Sequence, residues 1–217
     1  MPRRFVAAPG LRYRPAVTSR PLFATRFYDG ELGDRRLVAE LEDSCRALAR
    51  DDGGGRRWSR DHGYRGYTSY ASLNDLPARD PRFAELVRHL NRHVAAFAAD
   101  CAFDLAGRRL KLDSLWVNLL KPGGSHSGHI HPHSVVSGTL YVAVPSGSGL
   151  LKLEDPRLPM MMAAPPRRGD APDDLRTFVY AEPAPGKLFL WESWLRHEVV
   201  AGTGKGERIS ISFNYRL

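Results

Sequence analysis

The chain has 217 residues, 42% hydrophobic and 26% charged, a balance that excludes a disordered or fibrous protein and makes one domain the expectation. At this length folding buries roughly 70% of the surface the unfolded chain exposes, so a core can form without disulfides or a structural metal. The net charge of +8 comes from 32 basic residues scattered along the chain, without the lysine block or aromatic-interleaved motif of a nucleic-acid binder.

Residues 1–28 hold six arginines, at positions 3, 4, 12, 14, 20 and 26, and no acid precedes Asp29, so this stretch reads as a basic arm or a solvated tail. It lacks the apolar run of a secretion signal, and no apolar stretch reaches the roughly 18 residues of a membrane span. A cytoplasmic protein with no membrane partner is expected. Cys45 and Cys101 fall in helix-like segments without CxxC spacing and read as free thiols.

Residues 30–109 form a helical buttress in this reading. After a strand-like PLFATRFY, Asp34 caps a helix to about Arg50, with Leu37, Leu41 and Leu48 on one face, ended by Asp51–Gly55. Asp80-Pro81 starts a second helix, with Phe83, Leu86, Val87, Leu90, Val94 and Phe97 at three- and four-residue spacing. Between them Trp58, Arg60, His62, Tyr64, Arg65, Tyr67 and Tyr70 crowd one glycine-punctuated segment. It suits either the mouth of a cavity for an anionic or amino-acid-like group, or a surface loop whose aromatics pack inward.

From residue 110 to 217 the period becomes two: LKLDSLWVNLL, HIHPHSVVSGTLYVAV, GLLKLED, RTFVYAE, GKLFLWES, HEVVAG and RISISFNYRL, each bounded by Gly, Pro or Asp. Helices followed by about seven short strands predict an α+β chain in which two N-terminal helices buttress a β-sandwich or jelly roll. The polar, proline-rich residues 157–176 read as a loop, either a lid or disordered.

Four histidines, His126, His129, His131 and His133, stand within eight residues. Residues two apart on a strand share a face, so His129 and His131 can aim at one point, although a hydrogen-bonded polar pair has the same spacing. His197 ends a later strand-like stretch. In the last strand Arg208, Ser210 and Ser212 alternate with Ile209, Ile211 and Phe213, which puts an arginine fork and two hydroxyls on one face, a receptor for a carboxylate. Trp191 and Trp194 read as core.

The motifs WVN at 116–118, PGG at 122–124, HIHPHSVVSGTLYV at 129–142, EDPR at 154–157, PAPGKLFL at 183–190, SWLRH at 193–197 and RISISFN at 208–214 follow one another along the chain. In this order the sequence resembles the Fe(II)/2-oxoglutarate-dependent oxygenases, in particular a bacterial group related to prolyl-4-hydroxylase. The resemblance implies a double-stranded β-helix, a single oxygenase domain over 1–217, and Fe(II), 2-oxoglutarate and O2 as cofactor and co-substrates. It implies His129, His131 and His197 as metal ligands, Arg208 on the distal carboxylate of 2-oxoglutarate with Ser210 assisting, and Asn118 and Tyr141 as further contacts. The implied reaction is hydroxylation of an unactivated C–H bond in a small-molecule, amino-acid or peptide substrate, with succinate and CO2 released.

His131 stands where that superfamily carries Asp or Glu. Three neutral ligands leave the ion's charge uncompensated until the oxoglutarate dianion binds. They also keep open a cupin-type dioxygenase or zinc hydrolase that does not use 2-oxoglutarate, and a non-catalytic jelly-roll binding protein. His126 and His133 remain substitute ligands. Nucleic acid is not the expected partner, and a homodimer is left open.

Overall fold

The computed structural model describes residues 19–217, so most of the basic arm read over 1–28, with Arg3, Arg4, Arg12 and Arg14, lies outside the described residues. Its elements run β1 (Phe27–Glu31), α1 (Arg35–Asp51), α2 (Gly53–Asp61), β2 (Gly66–Thr68), α3 (Leu76–Arg79), α4 (Pro81–Asp100) and β3 (Lys111–Leu120). They continue as β4 (His126–His129), β5 (Val136–Ala143), β6 (Leu151–Glu154), β7 (Phe178–Ala181), β8 (Lys187–Glu192), β9 (His197–Val199) and β10 (Arg208–Arg216).

Both long helices begin where the sequence supplies a cap. The Asp34 carboxylate accepts the Leu37 N–H at 2.9 Å, and the Asp80 carboxylate accepts that of Arg82 ahead of Pro81. Their buried faces are Leu37, Leu41, Ser44 and Cys45 on α1, and Phe83, Leu86, Leu90, Val94, Phe97 and Ala98 on α4. The predicted pair of helices is therefore present, and two more accompany it.

The strands form two antiparallel sheets, β1-β8-β5-β10-β3-β2 and β4-β9-β6-β7, the double-stranded β-helix of an α+β chain. Strand alternation gives the six-stranded sheet two chemically different faces. Leu115, Val117 and Leu119 of β3, Leu140 of β5, Leu188 and Leu190 of β8, and Ile209, Ile211 and Phe213 of β10 share one apolar cluster with the helices. The opposite face carries Tyr141, Phe189 and Trp191, which meet Leu151, Leu153 and Val199 of the smaller sheet.

β10 pairs with β3 on one side and β5 on the other, with irregularities between Asn214 and Tyr215 and between Ile209 and Ser210. Its register sets Ser210 beside both Asn118 and Tyr141, and Asn118 in turn beside Thr68 of β2. At Gly66 a Cβ would lie 1.9 Å from the Leu119 carbonyl oxygen, so only glycine lets β2 lie this close to β3. The segment predicted as a loop over 157–176 contains only two 3-10 turns, Leu158–Met160 and Asp173–Leu175.

Candidate metal centre and ligand cavity

His129 at the end of β4 and His197 at the start of β9 are ladder partners, with ring centroids 4.4 Å apart. The Nδ1 atom of His129 lies 2.7 Å from the Ser127 carbonyl oxygen and that of His197 lies 2.9 Å from the Leu195 carbonyl oxygen. A carbonyl only accepts, so each Nδ1 carries the proton and each Nε2 presents a lone pair. His131 joins them with centroids 5.0 Å from His129 and 5.3 Å from His197, and the three offer ligand atoms all within 4.8 Å of one another. Burial pushes the imidazole pKa of His131 down to about 4 and that of His197 to about 3, so both are neutral near pH 7.

Strand alternation does not bring His129 and His131 together. β4 stops at His129, and His131 lies in the connection to β5, held by its backbone N–H donating to the Ser193 carbonyl at 2.9 Å. Likewise His197 opens a strand rather than ending one. Pro132 turns the chain, which leaves His133 exposed and outside the cluster. His126 is hydrogen-bonded through Nε2 to the Tyr64 hydroxyl, and burial, with the nearby Arg208 charge, pushes it down to about 3. Among the described residues one other group, Asp34, Glu85 and His89, has metal-like spacing, but Asp34 caps α1 and both acids face Arg36.

The three histidines line a cavity of about 520 Å³ whose floor is the inward face of β10 with Arg208, Ser210 and Ser212. Arg208 is 5% exposed and lies over the Tyr141 ring at 4.8 Å. Its Nε and Nη1, the Tyr141 hydroxyl and the Trp191 Nε1 are buried without a hydrogen-bond partner among the described residues. Asn118 sits in the same wall with its amide already engaged, accepting from Thr68 Oγ1 at 2.9 Å and donating to Ser212 Oγ at 3.1 Å. Trp191 is core and also packs on His197 at 4.6 Å, whereas Trp194, expected in the core, is 46% exposed because it falls in the turn between β8 and β9.

The aromatic segment between the first two predicted helices is not a loop. Asp51–Gly55 ends α1 and at once starts α2, because the Asp52 carboxylate accepts the Gly55 N–H at 2.9 Å. The same carboxylate accepts from Tyr67 and Ser72 hydroxyls, tying α2, β2 and the following turn together. Glycine-rich composition hid this helix, and the legible signal was the cap, Asp52 with an amide three residues on. From this unit Trp58, His62, Tyr64, Arg65, Thr68 and Tyr70 reach the cavity.

Residues 114–214 match the family described as "Putative 2OG-Fe(II) oxygenase". A search of curated proteins finds no match to the sequence. Among solved structures, a prolyl-4-hydroxylase from Pseudomonas putida is 17% identical with a TM-score of 0.53, covering 88% of each chain. The epimerase SnoN in complex with Fe3+, alpha ketoglutarate and nogalamycin RO is 17% identical at a TM-score of 0.61, over 89% of this chain and 79% of that one. HygX from Streptomyces hygroscopicus, with nickel and 2-oxoglutarate bound, is 14% identical at 0.56, over 89% and 82%. At such identities the structures speak for the shared fold alone, and the likeness to the 2OG-Fe(II) oxygenases in sequence rests on residues 114–214, just under half of the chain.

Proposed function

We propose that this protein is an Fe(II)- and 2-oxoglutarate-dependent oxygenase that hydroxylates an unactivated C–H bond of a small-molecule or amino-acid-like substrate, with release of succinate and CO2. The observation that carries the reading is Arg208. A buried guanidinium with two nitrogens lacking an acceptor costs several kcal/mol, and a carboxylate reaching the same cavity removes that cost. The three imidazoles nearby suit Fe(II) as a ligand set, and the family is defined by this pair of cofactors.

When bound, the iron and keto acid supply the oxidising power, coupling O2 reduction and decarboxylation to oxidation of the substrate C–H bond. The chain supplies the rest. His129 and His197 would hold the ion through Nε2 while each Nδ1–H donates to a backbone carbonyl, which fixes both rings. His131 is the third ligand. Arg208 forks onto the distal carboxylate with Tyr141 and Ser210 on the same floor, and Asn118, braced between Thr68 and Ser212, keeps one N–H for the co-substrate. Trp191, nearly fully buried, lines the inner wall, and Phe189 packs behind it against Tyr141. As a third protein ligand His131 would stand where a halogenase leaves room for halide, so hydroxylation rather than halogenation is the outcome we assign.

The test is anaerobic reconstitution with Fe(II), then 2-oxoglutarate, read by the visible charge-transfer absorption of a chelated keto acid, then admission of air and assay of succinate. Absorption and succinate support the proposal. Bound metal with neither would overturn it in favour of a three-histidine zinc or cupin-type centre, with Arg208 serving another anion.

A further inference from the structure

We infer that the substrate of this site is a ring-bearing small molecule carrying a negative charge, admitted past Arg65 and stacked on Tyr70 and Trp116. The inference rests on the oxygenase reading above and concerns the part of the cavity that the co-substrate does not use.

The cavity contains no carboxylate. Every ionisable side chain lining it is a histidine, a tyrosine or an arginine. Residues 1–18 contain no Asp or Glu, so the undescribed part of the chain cannot supply one. The two acids of the 52–70 unit that carries Arg65 and Tyr70 are engaged elsewhere: Asp61 pairs with Arg60, and Asp52 holds Gly55, Tyr67 and Ser72.

The substitution of histidine for the usual acid sharpens this imbalance. With three neutral ligands, the two charges of the ion are matched by the two of 2-oxoglutarate, and both arginines remain positive. Arg208 is engaged by the co-substrate in that state. Arg65 is left exposed, within 4.0 Å of no carboxylate among the described residues, with its guanidinium carbon 3.6 Å from where a Cβ on Gly123 would stand. A cationic substrate would enter with no counter-charge, whereas an anion meets a free guanidinium at the rim.

The ring follows from a continuous aromatic path. Tyr70, 59% exposed, packs edge-on to Trp116 at 5.3 Å, and Trp116 lies 5.9 Å from His131. The path runs from solvent to the metal-ligand cluster, and a ring on it is carried towards the ion by stacking. A volume of about 520 Å³ for co-substrate and substrate together fits a small molecule.

The experiment uses the full chain loaded anaerobically with Fe(II) and the non-reactive mimic N-oxalylglycine. Its probes are 4-hydroxyphenylacetate, tyrosol and tyramine, which share a ring and are anionic, neutral and cationic at neutral pH. Calorimetric affinities should fall in that order, with the acid about tenfold or more tighter than the amine. Arg65→Gln should reduce that ratio to about threefold or less while leaving metal content and N-oxalylglycine affinity unchanged. Tyr70→Ala should weaken all three probes by a similar factor and leave the ratio alone.

An amine that binds as well as the acid, or a ratio that Arg65→Gln does not move, overturns the charge assignment. No measurable binding of any probe at millimolar concentration, or affinities untouched by Tyr70→Ala, overturns the ring assignment. Failure of the oxygenase reading is separate, because it appears first as a metal-loaded protein that does not bind N-oxalylglycine.

Discussion

The two faces of the six-stranded sheet are made by the same strands and differ in almost every other respect. Towards the helices β10 presents Ile209, Ile211, Phe213 and Tyr215, all at 0% exposure, and the only hydroxyl among them, on Tyr215, donates to Asn91 at 2.8 Å. Towards the smaller sheet the same strand presents Arg208, Ser210, Ser212 and Asn214, and this face holds four buried polar atoms without partners among the described residues, two of them on Arg208 itself. One face spends its burial on stability. The other holds donors in readiness for a ligand, at a cost the first must cover.

The largest effect that would test this division is on the helix side. Phe213→Ala should cost about 3–5 kcal/mol in chemical denaturation, the usual penalty for deleting a fully buried ring. Across the sheet the sign should reverse. Arg208→Met removes an unpaired buried charge, so stability without ligands should hold or rise, while 2-oxoglutarate affinity falls by on the order of 100-fold, about 2.7 kcal/mol. Loss of stability in that variant with unchanged 2-oxoglutarate binding would erase the distinction between the faces.

A smaller effect belongs to Asp52, which joins the helical side to the cavity wall. Burial raises its carboxyl pKa, but hydrogen bonds from Ser72, the Gly55 amide and Tyr67 outweigh that and hold it below the usual carboxylate range. Asp52→Asn should cost about 1–2 kcal/mol at neutral pH. A depressed folded pKa stabilises above the ordinary value near 3.9 and is lost as pH falls through the folded value, so the gap between the two proteins should close below about pH 4. Smallest of all, Arg36→Ala on the surface of α1 should leave the denaturation midpoint where it is, because its ion pairs with Glu40 and Glu85 are solvent-exposed.

Periodicity made most of this fold legible. Period-two runs placed nearly every strand of the β half, and the capped helices α1 and α4 were evident from Asp34 and Asp80-Pro81. The cavity floor was readable for the same reason, since alternation in RISISFN separates Arg208 and the serines from the isoleucines. What escaped depended on contacts distant in sequence. The short β4 is recognisable only by its pairing with β9, which is why strand logic was wrongly extended to His131. The engagement of Asn118 by Thr68 and Ser212 spans 50 and 94 residues, and no local pattern announces it. α2 opens with three glycines, so propensity argued against a helix that its cap and packing enforce.

The register breaks along β10, where Val142 of β5 and Asp113 of β3 are the extra residues, bear on assembly as well as shape. RISISFN repeats every two residues, so sliding the strand by two would keep isoleucines facing the helices and serines facing the cavity, while carrying the arginine about 7 Å along the strand. Hydrophobicity alone would accept that misalignment. The breaks between Ile209 and Ser210 and between Asn214 and Tyr215 do not repeat, so they work like notches in a key and admit a single alignment with the neighbouring strands. A chain with these notches smoothed out could fold, melt cooperatively and look native by circular dichroism, yet have no guanidinium where a carboxylate needs one.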